Sequence, residues 1–286
     1  MIRALERDDL AAAKRERLLK AIKQAVLYVS NDEHINKADR DEILWAYAYR
    51  LRFLTRAKKH IDSIKIVDAA MDHYIKTAVT ALESVQGRRG GWYHEYNNPF
   101  VTSTALMALF EAQNSGGAAV DSQKVEKGVA SLSSERYANG AFPYSSPRGE
   151  SNNSTKEASE NKVAASAGRM PLCELGLWYW GKSSEESLAN SIQKSFEGQS
   201  NLDKALKYDD HTSTLSYGGF FFWYDMRARS EAISKIKNDE LRKKLADQQK
   251  AIILDLPEID GCFVDSHELG RVYGTAMALL SLANCK

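Results

Sequence analysis

Ten helix-length segments alternate in character along this chain, and that alternation constrains the fold more than any single motif. Residues 10–29, 62–86, 121–134, 184–198 and 235–253 are amphipathic and charged, whereas residues 40–57, 101–113, 163–180, 212–230 and 267–283 are richer in alanine, leucine and aromatics. Leu44, Tyr47, Leu51 and Leu54 follow one another at helical offsets, as do Tyr273, Ala276, Met277 and Leu280, so each set shares one helix face. A helix apolar on most sides is buried on most sides. Charged-then-apolar therefore reads as outer-then-inner helix, repeated five times. The expected fold is all-α, a single (α/α) toroid of about five to six inner–outer helix pairs over residues 1–286, either whole or as part of a longer chain. Strand patterns are almost absent.

Turn segments recur before inner helices: Gly90-Gly91-Trp92-Tyr93, Gly140-Ala141-Phe142-Pro143-Tyr144 and Asp260-Gly261-Cys262-Phe263. Each pairs a glycine that can turn the chain at positive φ with an aromatic that can plug a hairpin. Gly91 to Gly140 is 49 residues and Gly140 to Gly261 is 121, close to two further repeats, as a repeat architecture requires. The polar stretch 149–161 reads as a long mobile loop.

Composition narrows the function classes. A net charge of +1 argues against a nucleic-acid partner held by phosphate neutralisation. No run of 18 apolar residues offers a transmembrane helix, and the charged start, Met1 to Asp9, lacks the apolar core of a signal peptide. The three cysteines, Cys173, Cys262 and Cys285, are odd in number and scattered, which does not suggest a disulfide framework. A cytoplasmic location is the default expectation. No nucleotide loop, HExxH helix or GxSxG elbow is present.

The turn and helix motifs carry a family resemblance. Gly90-Gly91-Trp92-Tyr93 followed by Phe100 to Leu109 resembles one repeat of the squalene/hopene cyclase and protein prenyltransferase superfamily, with a Gly-Gly-Trp turn, a short loop and a Thr-Ala-Leu-rich inner helix. Gly140 to Ser145 with Ala167-Gly168-Arg169 and Leu172 to Leu175 resembles a second repeat. Asp260 to Phe263 with Tyr273 to Leu280 resembles a third. The resemblance covers roughly residues 40–283 and implies an (α/α) barrel with a central cavity. More weakly, because fold does not fix function, it implies an apolar or isoprenoid-type ligand.

Two catalytic signatures of the superfamily are matched in part. Class II cyclases protonate an alkene with the middle aspartic acid of an Asp-X-Asp-Asp motif. Lys207-Tyr208-Asp209-Asp210-His211-Thr212 puts Asp209 in that place but Lys207 where the first aspartate belongs, and a lysine there favours the ionised carboxylate. The competing reading is a capped helix start, with Asp210 or Thr212 as N-cap. Prenyltransferases hold zinc with an Asp-X-Cys pair and a distant histidine. Asp260-Gly261-Cys262 matches the pair, but His267 and His211 both depart from the histidine's position. A turn with a buried thiol is the plainer reading, and no cofactor is expected unless zinc binds there.

Other residues invite ligand contact by type and place. In a ring, the inner-helix starts share one rim, which gathers Thr102, Thr104, Arg169, His211, Thr212, His267, Glu268 and Arg271. Arg169 and Arg271 fit a phosphate or carboxylate, and Trp92, Tyr93 and Tyr273 offer ring faces. Capping and pairing between hairpins account for the same residues. Glu174, within Pro171-Leu172-Cys173-Glu174-Leu175-Gly176-Leu177-Trp178, needs a partner such as Arg169, or else faces a cavity as a functional carboxylate. Three functions stay open. The first is a cyclase-like toroid that holds an apolar ligand, with catalysis in doubt. The second is a non-catalytic binding or scaffold toroid. The third is a carbohydrate-active barrel that pairs carboxylates among Glu174, Asp209, Asp260 and Asp265.

Overall fold

The computed structural model describes residues 1–7, 9–145, 152–207 and 221–286. Among these the chain is all-α except for one hairpin with two residues per strand, and it falls into two compact units, 1–131 and 132–286.

The first unit holds α1 (Ile2–Leu5), α2 (Ala12–Ser30), α3 (Ile43–Lys58), α4 (Ile61–Ile64), α5 (Asp68–Ser84), α6 (Pro99–Gly116) and most of α7 (Ser122–Glu135), within which the boundary between units falls. Strands β1 (Tyr93–His94) and β2 (Tyr96–Asn97) pair antiparallel between α5 and α6. The outer and inner characters predicted from the sequence hold here. α2 buries only Ile22 and Val26 of its 19 residues, whereas α6 buries 13 of 18. α3 packs on α2, α5 and α6. Arg52 and Arg56 of α3 both reach Glu111 of α6, the closest contact being 2.5 Å, so one carboxylate pairs with two guanidinium groups across the two helices.

The second unit holds α8 (Glu160–Ala164), α9 (Arg169–Tyr179), α10 (Glu185–Glu197), α11 (Gln199–Asp203), α12 (Phe222–Ile233), α13 (Asp239–Leu254) and α14 (Gly270–Asn284). The outer helices start on caps legible in the sequence. Ser184 accepts the Ser187 N–H at 3.0 Å ahead of Glu185 and Glu186, and Asn238 accepts the Leu241 N–H at 2.9 Å ahead of Asp239 and Glu240. α9 packs on α10 and α12, and α12 packs on α10, α13 and α14.

Three features differ from the sequence expectation. First, α12 is buried at all 12 positions yet carries Asp225, Arg227, Arg229 and Glu231. It manages this by pairing: Arg227 binds Glu231, while Arg229 donates to Gln249 and Gln199, both at 2.7 Å, and to the Ser195 hydroxyl, and lies over the Phe196 ring. Burial lowers the Arg229 pKa to about 9. Second, α14 buries only Gly274, Met277, Ala278 and Ser281, although its composition is that of an inner helix. Third, the part of 149–161 that is described is tied down. Asn153 donates from its backbone to Ser134 O and from its side chain to Glu135 O, and Asn139 brackets Ala158. Polar residues here replace missing ladder partners rather than leaving the backbone loose.

The recurring turn is one structure seen three times. Gly87 N–H donates to Gly91 O while Gly90 N–H donates back to Gly87 O; Tyr137, Gly140 and Ala141 repeat the pattern, as do Glu258, Gly261 and Cys262, all six bonds lying between 2.7 and 2.9 Å. The glycine at the fourth position takes φ of 89°, 84° and 79°, in the left-handed region. The aromatic that follows, Trp92, Phe142 or Phe263, is buried. The inner helix then reaches back to it. Thr102 Oγ1 accepts the Trp92 N–H at 3.0 Å, Thr275 Oγ1 accepts the Phe263 N–H at 3.0 Å, and at the second turn Arg169 donates to Phe142 O at 3.5 Å.

A Cβ at Gly140 or Gly261 meets nothing within 4 Å, so Gly140→Ala and Gly261→Ala should each cost only the left-handed penalty, about 1–2 kcal/mol. At Gly90 the added carbon would lie 2.4 Å from the Lys127 carbonyl oxygen, so Gly90→Ala should cost clearly more. Urea unfolding of the three variants checks the order; equal tolerance at all three sites contradicts it.

Candidate functional site

The buried carboxylate of α9 is closed by partners. Glu174 is 0% exposed and accepts Arg136 Nε at 2.8 Å, and the Ser183 hydroxyl donates to its other oxygen. Arg136 follows α7 and Ser183 follows α9, so Glu174 ties two loops to the middle of its helix. Arg169 is not its partner. That guanidinium runs back along the chain, donates to Ala165 O at 2.5 Å, and lies 5.5 Å from the Tyr144 ring. Burial lowers its pKa, and the nearby Asp225 carboxylate partly opposes the shift. Burial likewise holds the Cys173 thiol well above its ordinary range, which makes it unreactive.

A second carboxyl, Asp265, is the more perturbed. It is 0% exposed, and its Oδ2 accepts the Trp223 N–H at 2.8 Å, which caps α12 from a distant loop. The indole N–H of Trp223 donates to Val264 O at 2.9 Å, and the Trp223 ring meets Phe222 and Phe263 edge-on, each at 5.1 Å. Oδ1 has no hydrogen-bond partner among the described residues. Desolvation pushes the Asp265 pKa up to about 7, against the opposing effect of the Trp223 N–H. This is a buried carboxyl that takes up a proton near neutral pH, bonded to the first turn of the helix that carries the Trp223 ring. Gly274 of α14 lets the loop approach, since a Cβ there would lie 2.6 Å from Phe263 O and 2.8 Å from the Asp265 N.

The residues singled out in the sequence are placed as follows. Trp92 is 0% exposed and donates from its indole to Leu82 O at 2.9 Å; Thr102 brackets it. Tyr93 lies over Gly87, where any side chain would collide with the ring. Asp260 accepts the Cys262 N–H at 3.1 Å and pairs with Arg271, and these hold its carboxyl below the usual range. Both Asp260 and Arg271 are exposed, as is His267, and Tyr273 is half-buried. Among the described residues no three His, Cys, Asp or Glu side chains gather as a metal set, so Asp260, Cys262 and His267 are not brought together. Asp209 and His211, with Thr212, lie outside the described residues. A depression of about 400 Å³ lies along α5 beside His73, Lys76, Thr77 and Thr80, and none of the residues singled out in the sequence lines it. Among the described residues no helix is long and apolar enough to cross a membrane.

The role of Asp265 had no local signal: a helix cap supplied from 42 residues away looks like an ordinary loop aspartate in the sequence. The charges of α12 were visible but were outweighed by the aromatics beside them.

No family model and no curated protein matches the chain. Among solved structures it is similar to Salmonella alpha-2-macroglobulin reacted with methylamine, at 13% identity and TM-score 0.49 over 94% of this chain and 17% of that one. It is also similar to native alpha-2-macroglobulin from Escherichia coli, spanning domain MG7 to the C-terminus, at 13% identity and TM-score 0.46 over 87% of this chain and 42% of that one. The chain thus spans well under half the length of the first protein and under half of the second.

A folded-state pKa near 7 against an ordinary 3.8 means that the folded protein binds the extra proton between those values. Stability should therefore fall as pH rises from about 4 to about 7, by something on the order of 4 kcal/mol if Asp265 acts alone. Asp265→Asn keeps an oxygen for the Trp223 N–H and should flatten that slope. Urea midpoints across the range check it; an unchanged slope in the variant contradicts it. Glu174→Gln should cost about 1–3 kcal/mol at neutral pH, since it weakens a charged bond to Arg136 without creating a cavity.

Proposed function

We propose that this chain is a non-catalytic binding domain, a toroid of helical hairpins used as a scaffold. The observation that supports this most is how its inner-helix polar groups are used. Thr102, Thr275 and Arg169 bracket the three turns, and Glu174 is enclosed by Arg136 and Ser183. These polar groups would have to face a cavity to meet a substrate, and here they hold elements together. A scaffold made of stacked hairpins needs that kind of internal satisfaction and presents its surface to partners.

A second reading keeps an apolar or isoprenoid ligand, and one observation favours it: Asp265, its pKa pushed up to about 7 by burial, holds the Trp223 N–H where the Trp223 ring meets Phe222 and Phe263, and an acid that protonates an alkene beside rings that steady a cation needs a setting of this kind. The carbohydrate-active reading keeps no observation of its own.

Titration with farnesyl and geranylgeranyl diphosphate, followed by tryptophan fluorescence and calorimetry, separates the two. The scaffold reading predicts no saturable binding up to about 1 mM, with or without zinc. Micromolar binding that Asp265→Asn abolishes would overturn it in favour of the ligand-binding reading.

A further inference from the structure

We propose that Asn139–Gly140 is a deamidation site that the native fold holds shut, and that its conversion unfastens residues 152–161 from the second recurring turn. Asn139 is the only asparagine in the sequence that is followed by glycine. Glycine has no side chain to shield its backbone nitrogen, and its peptide folds back on the preceding residue with little steric cost. In the reaction the Gly140 nitrogen attacks Asn139 Cγ. The N–Cγ bond forms, the Cγ–Nδ2 bond breaks, and Nδ2 departs as ammonia with the proton that the Gly140 nitrogen gives up. Water then opens the cyclic imide at either of its two carbonyls. One product is aspartate at position 139, and the other is isoaspartate, whose main chain runs through the side-chain carbon.

The structure restrains each reacting atom. The Gly140 N–H donates to Tyr137 O at 2.9 Å. The leaving group, Nδ2, donates to Ala158 O at 2.8 Å, and Oδ1 accepts the Ala158 N–H at 3.3 Å. One residue earlier the Ala138 N–H donates to Lys156 O at 2.9 Å, so two neighbouring positions of the turn hold the segment. With both amide atoms tied to Ala158, Cγ cannot swing onto the Gly140 nitrogen until the segment lets go. Two hydrogen bonds of ordinary strength keep the open form to about one part in thirty or fewer. The rate at Asn139 is therefore set by how often residues 152–161 open. Asn153, which is buried, fastens the start of that segment, with its backbone N–H on Ser134 O at 2.8 Å and its side chain on Glu135 O at 3.3 Å.

Either product reverses the restraint. An ionised aspartate has no hydrogen to donate, so an oxygen would face the Ala158 carbonyl where a donor stood. Lys194, whose Nζ donates to Asn139 O at 2.5 Å, offers the new charge a partner, so the turn stays in place and the segment is what is released. Isoaspartate lengthens the main chain between positions 139 and 140 and displaces the Gly140 N–H as well. None of this depends on the scaffold reading, because it concerns only bonds around one turn.

The test is to age the native protein and the urea-unfolded chain side by side in mildly alkaline buffer. Peptides containing position 139 are then followed for the mass gain of an amide-to-acid change. The unfolded chain should convert at Asn139 before any other asparagine, and the native protein about thirtyfold more slowly, or slower still. Asn153→Ala, shown to be folded by its helical circular dichroism, should convert about fivefold faster than the native wild type. Urea below the unfolding transition opens the same segment in the wild type should that variant not fold. In fresh Asn139→Asp protein trypsin should cut after Lys156 severalfold faster, and the Ala158 amide should exchange faster, with the helical signal kept. Equal rates in native and unfolded chains, or an unfolded chain that does not convert at Asn139, overturn the site. Conversion that neither Asn153→Ala nor low urea accelerates overturns its control by the segment. Lys156 and Ala158 as protected in Asn139→Asp as in the wild type overturn the release.

Discussion

The structure depends on one small device, a five-residue turn whose fourth residue is a left-handed glycine and whose following aromatic is gripped by the next inner helix. Each turn reverses the chain from a charged helix into an apolar one, and the first and third hide the amide of their aromatic from water by bonding it to a threonine hydroxyl. A buried amide without a partner costs about 1–3 kcal/mol, so the threonine hydroxyls at 102 and 275 are as necessary to the turn as the glycines. At the second turn the reaching group is Arg169, which extends back over its own helix start and is committed there. Bonds of this kind explain how the apolar helices tolerate polar residues: each polar atom fastens its helix to the turn that precedes it.

The same reasoning ranks the candidate chemistry. A side chain that completes a turn cannot also leave to meet a substrate without cost to the fold. Thr102, Arg169 and Glu174 are in this position. Asp265 is only half committed: one oxygen caps α12 and the other is left unpaired in an apolar setting. That arrangement explains its raised pKa and leaves it an oxygen with no hydrogen-bond partner among the described residues.

Much of the fold was legible in the sequence, and the reason is periodicity. The alternation of charged and apolar segments located α2, α3, α6, α7, α10, α13 and α14 within a few residues and α5 and α9 with starts six residues early, because burial acts on a whole helix face; the segment expected at 212–230 overlaps α12 but begins outside the described residues. Glycine–aromatic pairs located the turns, because few residues accept positive φ. The site was less legible. Glu174 had to be paired, but Arg136 and Ser183 come from loops on either side, and nothing in the sequence ranks them above Arg169. Asp265 caps a helix far along the chain, which no local pattern reveals. α14 shows the limit from the other direction: its composition predicts burial on all sides, and the described residues cover only one side of it.

Hydrogen exchange of the Trp92 and Phe263 amides tests the turn most directly. If the threonine-bracketed turns organise the repeats, both amides exchange only through global unfolding, with protection equal to that of the inner-helix cores. Exchange of either amide at the rate of an exposed loop, in a protein that is otherwise folded, would show that the turns are decoration and that the repeats are held by something else.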